Sequence, residues 1–285
     1  MTPTRLAALF ALLTVTVSCS LLVSTEGLSD RPAAAGDAAS PGDATTDTLA
    51  EAAPPARDGG SSSCPDDAAF CASFEEADLT TGFTSSHVSQ GASLSREPAS
   101  ATGTDSGTVL VSNVPAAPGD DAFARLLWKM PSTPSALRVE LDAYLCDPGS
   151  GTLEYLKIEW GTPFEPDRPT LQSDALELFT GPQTGLAIER HEGDGGPAKA
   201  FYGAMRTLPT QRWIHYSLEA TFSTTAGRVR AVIDRDEASP LFDVQQIPTR
   251  SPEVKDGRVV IGAFVAESTA TCVARFDNVS VVLTP

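Results

Sequence analysis

The chain has 285 residues, of which 41% are hydrophobic and 20% are charged, a balance typical of a globular protein with one or two domains. Its 37 acidic residues outnumber the 20 lysines and arginines, so the formal net charge is −17. An acidic chain without a lysine- or arginine-rich cluster repels phosphate backbones. Nucleic acid is therefore excluded as an expected partner, and the charge is consistent with solubility outside the cell.

The first residues have the pattern of an export signal. Arg5 precedes an uncharged run at 6–17, which is long enough for the apolar part of a signal peptide but too short to cross roughly 30 Å of hydrocarbon. The run ends in TVSC at 16–19, which resembles the lipobox of bacterial lipoproteins, where the cysteine is acylated.

We therefore expect 1–19 to be a lipoprotein-type signal peptide with Cys19 as the lipidation site. The lipid would be the protein's contact with the membrane, and the protein would lie in the bacterial cell envelope, as an outer-membrane lipoprotein or at the cell surface. The alternative is an ordinary secretory signal in which Cys19 has no role.

Residues 20–63 show no hydrophobic periodicity. They consist mainly of Ala, Pro, Gly, Ser, Thr and Asp, with too few apolar side chains to offset the entropy of ordering the segment. The composition predicts a disordered linker, which its excess of acidic residues would extend. The folded domain is then expected to cover 64–285.

From Cys64 onward, apolar and polar residues alternate in short runs, as in half-buried β-strands. The first runs cover 68–75, 106–114 and 121–130. The later runs cover 175–180, 186–191, 198–205, 213–222, 228–234, 259–265 and 271–283. There is no amphipathic helix pattern of three or more turns. We therefore predict an all-β domain, a two-sheet antiparallel β-sandwich of the jelly-roll type.

The most regular alternation lies in 135–160. Its first half places apolar residues on one side and polar residues on the other: Arg138, Glu140, Asp142 and Tyr144. In its second half Leu156, Ile158 and Trp160 alternate with a second polar set: Tyr155, Lys157 and Glu159. The link between them, Asp147-Pro148-Gly149, favours a turn. This pattern predicts an antiparallel hairpin with one apolar and one polar face.

Four cysteines follow the linker: Cys64, Cys71, Cys146 and Cys272. An even number in an exported chain indicates two disulfides, and three pairings are possible. We favour Cys64–Cys71 as a local link and Cys146–Cys272 as a long one. A zinc site is not indicated, because there is no C-x-x-C motif and the three histidines are scattered.

Two short segments resemble a known superfamily. WIHYSL at 213–218 resembles a strand of laminin-G-like domains, and RFDNVSV at 275–281 resembles their closing strand. Together with SFE at 73–75, they make the domain similar to the concanavalin A-like lectin/glucanase superfamily. That resemblance implies a two-sheet sandwich that binds a glycan or a protein.

The same termini also resemble jelly-roll carbohydrate-binding modules, in which matching acidic residues hold a structural calcium ion. The resemblance implies Glu75 and Asp277 as calcium ligands, since carboxylate oxygens suit that ion. The alternative is that Asp277 caps a turn and Glu75 is solvated. No other cofactor is expected.

The glucanase branch of the superfamily uses carboxylates in an E-x-D-x-E or E-x-D-x-x-E pattern on one strand face. Here Glu140 and Asp142 begin that pattern, but positions 144 and 145 are Tyr and Leu. A single acid cannot serve as both nucleophile and proton donor, so hydrolysis is disfavoured and no catalytic residue is assigned. A lyase using His215 and Tyr216 is an alternative, although these neighbours should point to opposite faces.

The polar face of the predicted hairpin is the expected ligand site, with His215 from a later strand beside it. Tyrosine rings and hydrogen-bonding groups together are typical of sugar sites. The residues of this site are Glu140, Asp142, Tyr144, Tyr155, Lys157, Glu159 and His215. We therefore predict a non-catalytic surface protein that binds a glycan or a protein partner. The alternatives are a divergent polysaccharide-acting lyase or hydrolase of the same fold, and a structural envelope protein without a small ligand.

Overall fold

A computed structural model of the chain describes residues 64–99, 107–161, 173–191, 197–250, 256–266 and 269–285. The predicted signal peptide, the lipidation site Cys19 and the predicted linker lie outside these residues. Within them, no helix is long and apolar enough to cross a membrane.

The described residues contain fifteen β-strands and no α-helix. In chain order the strands are β1 (Ala68–Ala72), β2 (Ser85–Val88), β3 (Ser93–Pro98), β4 (Thr108–Val114), β5 (Ala122–Lys129), β6 (Ala136–Tyr144), β7 (Thr152–Gly161), β8 (Ser173–Thr180), β9 (Gly185–His191), β10 (Pro197–Gly203), β11 (Trp213–Thr221), β12 (Gly227–Ile233), β13 (Phe242–Ile247), β14 (Gly257–Ala266) and β15 (Cys272–Thr284).

The strands form two sheets that enclose one hydrophobic core. The eight-stranded sheet has the order β13-β12-β11-β6-β15-β4-β3, with β1 pairing along β15. The seven-stranded sheet has the order β10-β9-β8-β7-β14-β5-β2. All neighbouring strands are antiparallel. The predicted two-sheet antiparallel sandwich is confirmed.

The predicted hairpin over 135–160 is wrong. β6 lies between β11 and β15 in the eight-stranded sheet, whereas β7 lies between β8 and β14 in the other sheet. The turn between β6 and β7 is real, since Asp147 Oδ1 accepts a hydrogen bond from the Gly149 amide, but the chain crosses there from one sheet to the other. Both strands are apolar on one side because they face the same core from the two opposite sheets.

The core is built from the apolar sides of both sheets. Leu141 of β6 and both Ile158 and Trp160 of β7 are fully buried. The ring of Trp160 meets Phe222 edge-on, with ring centroids 4.4 Å apart. Burial of large side chains such as these supplies most of the stabilising free energy of the sandwich.

One buried polar side chain links the two sheets. The alternation of β14 is interrupted between Ile261 and Phe264. Within this interruption the Ala263 amide donates to Ser112 Oγ at 3.0 Å. The same hydroxyl donates to the Ala124 carbonyl at 2.6 Å. Ser112 thus satisfies two backbone groups that are buried in the core.

Both predicted disulfides are present. Cys64 and Cys71 are joined with their Cα atoms 6.0 Å apart, and Cys146 and Cys272 with theirs 5.4 Å apart. The second bond ties the segment that follows β6 to the start of β15, which are neighbours in the eight-stranded sheet.

The sequence pattern predicts no strand where β13 lies. Only Phe242 and Ile247, at its two ends, are buried, and Gln246 has a positive φ of 57°. The strand therefore lacks a regular apolar side, and it forms because it extends the edge of the sheet beside β12.

Candidate functional site

The predicted ligand-binding residues do not form one surface. β6 and β7 belong to different sheets, so their polar sides point in opposite directions from the core. Glu140, Asp142, Tyr144 and His215 lie on the outer side of the eight-stranded sheet, whereas Lys157 and Glu159 lie on the outer side of the seven-stranded sheet. The single polar face predicted from the hairpin is wrong, and the binding role of each residue stays a prediction.

On the eight-stranded sheet, Asp142 organises a small polar group. Its Oδ1 lies 3.1 Å from His215 Nδ1, and its Oδ2 accepts a hydrogen bond from Asn278 Nδ2 at 2.8 Å. Beside them the rings of Tyr144 and Trp213 meet edge-on at 6.0 Å. His215 and Tyr216 point to opposite faces, as their alternation predicts, and Tyr216 is buried in the core.

The placement of Tyr155 on a polar face is wrong. The pairing of β7 with β8 shifts between Glu154 and Leu156, which marks a β-bulge. The bulge turns Tyr155 into the core, where its ring meets Tyr216 edge-on at 5.5 Å and only 1% of it is exposed. It also turns Glu154, which the sequence analysis did not select, to the outer side of the sheet.

Glu75 and Asp277 do not make a metal site of the predicted kind. Glu75 Oε1 accepts a hydrogen bond from the Thr108 amide, and Asp277 Oδ1 accepts one from the Asn278 amide. Burial raises the pKa of Asp277 to about 7 against that amide hydrogen bond, and the carboxylates of Asp142 and Glu75 add to the shift. The described residues contain no group of three or more His, Cys, Asp or Glu side chains placed to hold a metal ion. Two carboxylates alone fall short of the six to eight oxygens that calcium takes.

The largest concentration of buried charge lies on the outer side of the seven-stranded sheet. We call it the charged face, and it consists of Arg125 on β5, Glu154, Lys157 and Glu159 on β7, Glu177 on β8, Glu189 on β9, Lys199 on β10 and Arg258 on β14. The four glutamates are only 7–9% exposed although they point away from the core. Charged residues are rarely buried to this degree unless they are paired.

The charges are paired across neighbouring strands. Arg125 Nη1 donates to Glu154 Oε1 at 2.9 Å, and Lys157 Nζ donates to Glu177 Oε1 at 3.0 Å. Lys199 Nζ lies 2.7 Å from Glu189 and 3.5 Å from Glu177. The network is thus continuous from β7 to β10, and each of these strands contributes to it.

The carboxyl groups in this network differ in their readiness to hold a proton. Burial raises the pKa of Glu154, and the nearby carboxylates of Glu177 and Glu159 raise it further. The positive charges of Lys157 and Arg125 act in the opposite direction but do not cancel the increase. Burial acts the same way on Glu177, but Lys157, a hydrogen bond with Glu189 and Lys199 together lower its pKa to about 2. Glu177 is therefore ionised near neutral pH, whereas Glu154 protonates more readily.

Two guanidinium groups on the charged face have buried N–H groups without an acceptor among the described residues. These are Nε of Arg125 and Nη1 of Arg258. Arg258 Nη1 is 3.7 Å from Glu159 Oε2, which is too long for a hydrogen bond. Buried donors are almost always satisfied in folded proteins, so these two are exceptions on the charged face.

His87 lies next to Arg125 at the edge of the face. It pairs with Arg125 in the register of β2 with β5 and still reaches solvent. Partial burial of the ring and the neighbouring Arg125 guanidinium lower its pKa, against the opposing effect of Glu159. His87 is therefore a neutral imidazole near pH 7, with a nitrogen that can accept a proton.

The comparisons with known proteins bear on the fold. No protein-family model matches the chain, and no curated protein sequence matches it. Among solved structures, an endo-β-1,4-glucuronan lyase from the fungus Trichoderma reesei has a TM-score of 0.59 and 9% identity, covering 76% of this chain and 96% of the lyase. The chain has a jelly-roll β-sandwich fold.

Two further sandwiches are similar. The alginate lyase Aly36B has a TM-score of 0.50 and 9% identity, covering 77% of this chain and 96% of that lyase. A GlcNAcα1-4Gal-releasing endo-β-galactosidase from Clostridium perfringens has a TM-score of 0.46 and 10% identity, covering 75% of this chain and 62% of the galactosidase.

These neighbours overturn the prediction of a non-catalytic binding protein. The glucuronan lyase and the alginate lyase, with TM-scores of 0.59 and 0.50, are both enzymes that act on polysaccharides. Of the residues of the charged face, Lys157 and Glu159 were selected from the sequence and the other six were not.

Proposed function

We propose that this protein is an enzyme that cleaves an acidic polysaccharide by β-elimination on the charged face. The observation that carries the proposal is a pair of guanidinium groups, Arg125 and Arg258, each of which has one buried N–H without an acceptor among the described residues. A uronate carboxylate is planar and presents two oxygens, which matches the donor geometry of a guanidinium group. The likeness to a glucuronan lyase and an alginate lyase supports the same substrate class.

Elimination at a uronate has three chemical requirements. The carboxylate must be neutralised, because its charge otherwise opposes removal of the proton on the adjacent carbon C5. A base takes that proton, and the electron pair left behind forms the C4–C5 double bond as the bond from C4 to the leaving sugar's oxygen breaks. An acid then gives a proton to that oxygen.

The charged face supplies a group for each requirement. Arg125 would hold the carboxylate through its free Nε–H, and the neutral ring of His87 beside it would accept the C5 proton. Glu154, hydrogen-bonded to Arg125 and with a raised pKa, would donate a proton to the leaving oxygen. His87 and Arg125 lie on neighbouring strands, β14 lies between Arg125 and Glu154, and two strands lie between His87 and Glu154.

Arg258 would hold a second sugar unit of the same chain. On β14 it is four residues from Gly262, which pairs with Arg125. At roughly 3.3 Å per residue the two guanidinium groups are about 13 Å apart along the strands, farther than one sugar ring reaches. A polymer is therefore a better fit to the face than a monosaccharide.

The test is an activity assay on glucuronan and on alginate, followed by the ultraviolet absorbance of the double bond that elimination creates. The wild-type protein is expected to generate this absorbance, and Arg125→Ala is expected to lose at least about a hundredfold in rate. Arg228→Ala is the matched control, because Arg228 lies on the other sheet and pairs with Asp243. A wild-type protein that cleaves neither polymer would overturn the proposal.

Glycoside hydrolysis is a second candidate, favoured by one specific observation. Glu177 is ionised with a pKa of about 2 while the pKa of Glu154 is raised, and Lys157 interacts with both. Two carboxyl groups whose pKa values are pushed apart are the arrangement that a glycosidase needs. Hydrolysis would release reducing ends without ultraviolet absorbance, and Glu177→Gln would abolish it.

We also propose that the enzyme is exported and lipid-anchored at Cys19. The support is the sequence pattern at 16–19 alone. Mass spectrometry of the mature N-terminus tests it: an acylated Cys19 is expected, and a mature chain that begins at Ser20 would refute the anchor.

A further inference from the structure

An exposed aromatic ring lies at the edge of the charged face. Phe201 on the edge strand β10 is 65% exposed, which is unusual for a large apolar side chain. Its ring meets that of Phe179 edge-on, with centroids 6.2 Å apart. Phe201 is on the same side of β10 as Lys199, two residues away, whose ammonium group belongs to the charged face.

Beside the two rings, β9 carries only small residues on that side, and Glu189 is its next residue there. Phe201 pairs with Ala187 of β9, and Phe179 pairs with Gly185 of the same strand. A Cβ atom at Gly185 would lie 3.2 Å from the Phe179 ring and 2.5 Å from the Tyr202 carbonyl. The small residues of β9 leave room for the Phe179 ring to lie over Gly185 and meet the exposed ring of Phe201.

The two rings lie on the same outer side of the sheet as the groups proposed for catalysis. In the strand register Glu154 pairs with Phe179, and Ala187 pairs with both Glu177 and Phe201. Five strand spacings of about 4.8 Å separate β5, which carries Arg125, from β10, giving about 24 Å between the proposed cleavage point and Phe201.

We infer that Phe201, supported by Phe179, is a sugar-stacking subsite that selects long polysaccharide chains over short ones. The apolar face of a pyranose ring would lie on the exposed side of the Phe201 ring, while its polymer continues across the charged face to Arg125. Any sugar with an apolar face can stack on an aromatic ring, so the subsite discriminates between substrates by chain length and not by sugar identity. This inference rests on the proposed function, since the charged face must be where the polymer binds.

The subsite makes the effect of Phe201→Ala dependent on substrate length. On the polymer, kcat/KM is expected to fall about five- to tenfold, through KM, whereas on di- and trisaccharides too short to reach β10 it is unchanged. Phe201→Tyr keeps the ring and is expected to keep wild-type kinetics. Met205→Ala is the matched control, because Met205 is 68% exposed and follows β10 outside the face.

Binding is measured separately from cleavage, by affinity electrophoresis in gels containing glucuronan or alginate. In a His87→Ala background, which lacks the proposed base, the additional Phe201→Ala change is expected to weaken retardation by the polymer about five- to tenfold. Weaker binding in that variant supports the subsite even if wild-type protein shows no cleavage, an outcome that refutes only the proposed function.

Three results would overturn the inference. One is an equal loss in Phe201→Ala on short and long substrates. Another is a loss of the same size in Met205→Ala, which would make the effect one of general surface apolarity. The third is a protein that binds neither polymer, which refutes the subsite and the proposed function together.

Discussion

Removal of the Cys146–Cys272 disulfide is expected to destabilise the domain far more than removal of Cys64–Cys71. The two bonds differ in the length of chain that they close, with sequence separations of 126 and 7. In the chain-entropy model the free energy that a crosslink contributes grows with the logarithm of that length. It gives about 4.9 kcal/mol for the long loop and about 2.4 kcal/mol for the short one.

The position of the two bonds adds to this difference. Cys272 is fully buried and Cys146 nearly so, whereas Cys64 is exposed. Replacing the buried pair by alanine also leaves a small cavity at the point where the segment after β6 meets β15. The long crosslink therefore stabilises the folded state and restricts the unfolded one.

The assay is urea unfolding of two double variants, C146A/C272A and C64A/C71A, followed by tryptophan fluorescence. The free energy of unfolding is expected to drop by at least about 2.5 kcal/mol more in C146A/C272A than in C64A/C71A. Equal losses, or a larger loss in C64A/C71A, would refute the reasoning, because the long bond would then contribute nothing through chain length.

Three further predictions concern single residues. Ser112→Ala should lower the free energy of unfolding by about 2–3 kcal/mol, because the Ala124 carbonyl and the Ala263 amide lose their partner. Thermal unfolding measures the loss. The control is Ser217→Ala, on the outer side of the same sheet, whose free energy of unfolding should stay within about 0.5 kcal/mol of the wild-type value. Gly262→Ala should lower the free energy of unfolding by about 2–4 kcal/mol, since the new Cβ would lie 2.3 Å from the Ala124 carbonyl and the residue has a φ of 133°. Gly203→Ala is the control, because a Cβ there would meet nothing within 4 Å. The folded-state pKa of Glu177 is depressed from 4.5 to about 2, so its contribution of roughly 3 kcal/mol to stability is present above pH 4.5 and is lost as the pH falls towards 2. In Glu177→Gln the free energy of unfolding should therefore fall less steeply as the pH is lowered. An unchanged dependence of that free energy on pH would contradict the ionised state of Glu177.

The sequence predicts which side of a strand is buried but not which strand lies beside it. Leu141 and Ile158 are both in the core, as their alternation predicts. Yet the alternation of β6 and of β7 is the same whether the two strands pair with each other or face each other across a core. The turn residues between them favour a hairpin, and nothing local to 135–160 indicates the crossing between sheets.

A single inserted residue limits the prediction further. A strict period of two through β7 places Tyr155 outward and Glu154 inward, and the bulge between Glu154 and Leu156 reverses both. Bulges depend on the partner strand, because the extra residue is opposed to a neighbour that is distant in sequence. Glu154, the proposed proton donor, could therefore not be identified from the sequence, because nothing in the sequence of β7 marks the extra residue.

The charged face could not be found strand by strand. Each of β5, β8, β9, β10 and β14 contributes one charged residue to it, and one lysine or glutamate on a strand has the pattern of an ordinary solvated position. The sheet order brings these residues together and buries them. The cysteine pairs were predictable because few pairings exist among four sulfurs, whereas the face requires the full register of seven strands.

The most direct test of the proposed chemistry is mass spectrometry of the oligosaccharides released from glucuronan and alginate. Elimination leaves each new non-reducing end unsaturated, so its mass is lower by one water than that of a hydrolysis product. We expect unsaturated oligosaccharides with the wild-type protein and none with Arg125→Ala. Saturated products, or products undiminished in Arg125→Ala, would contradict elimination on the charged face.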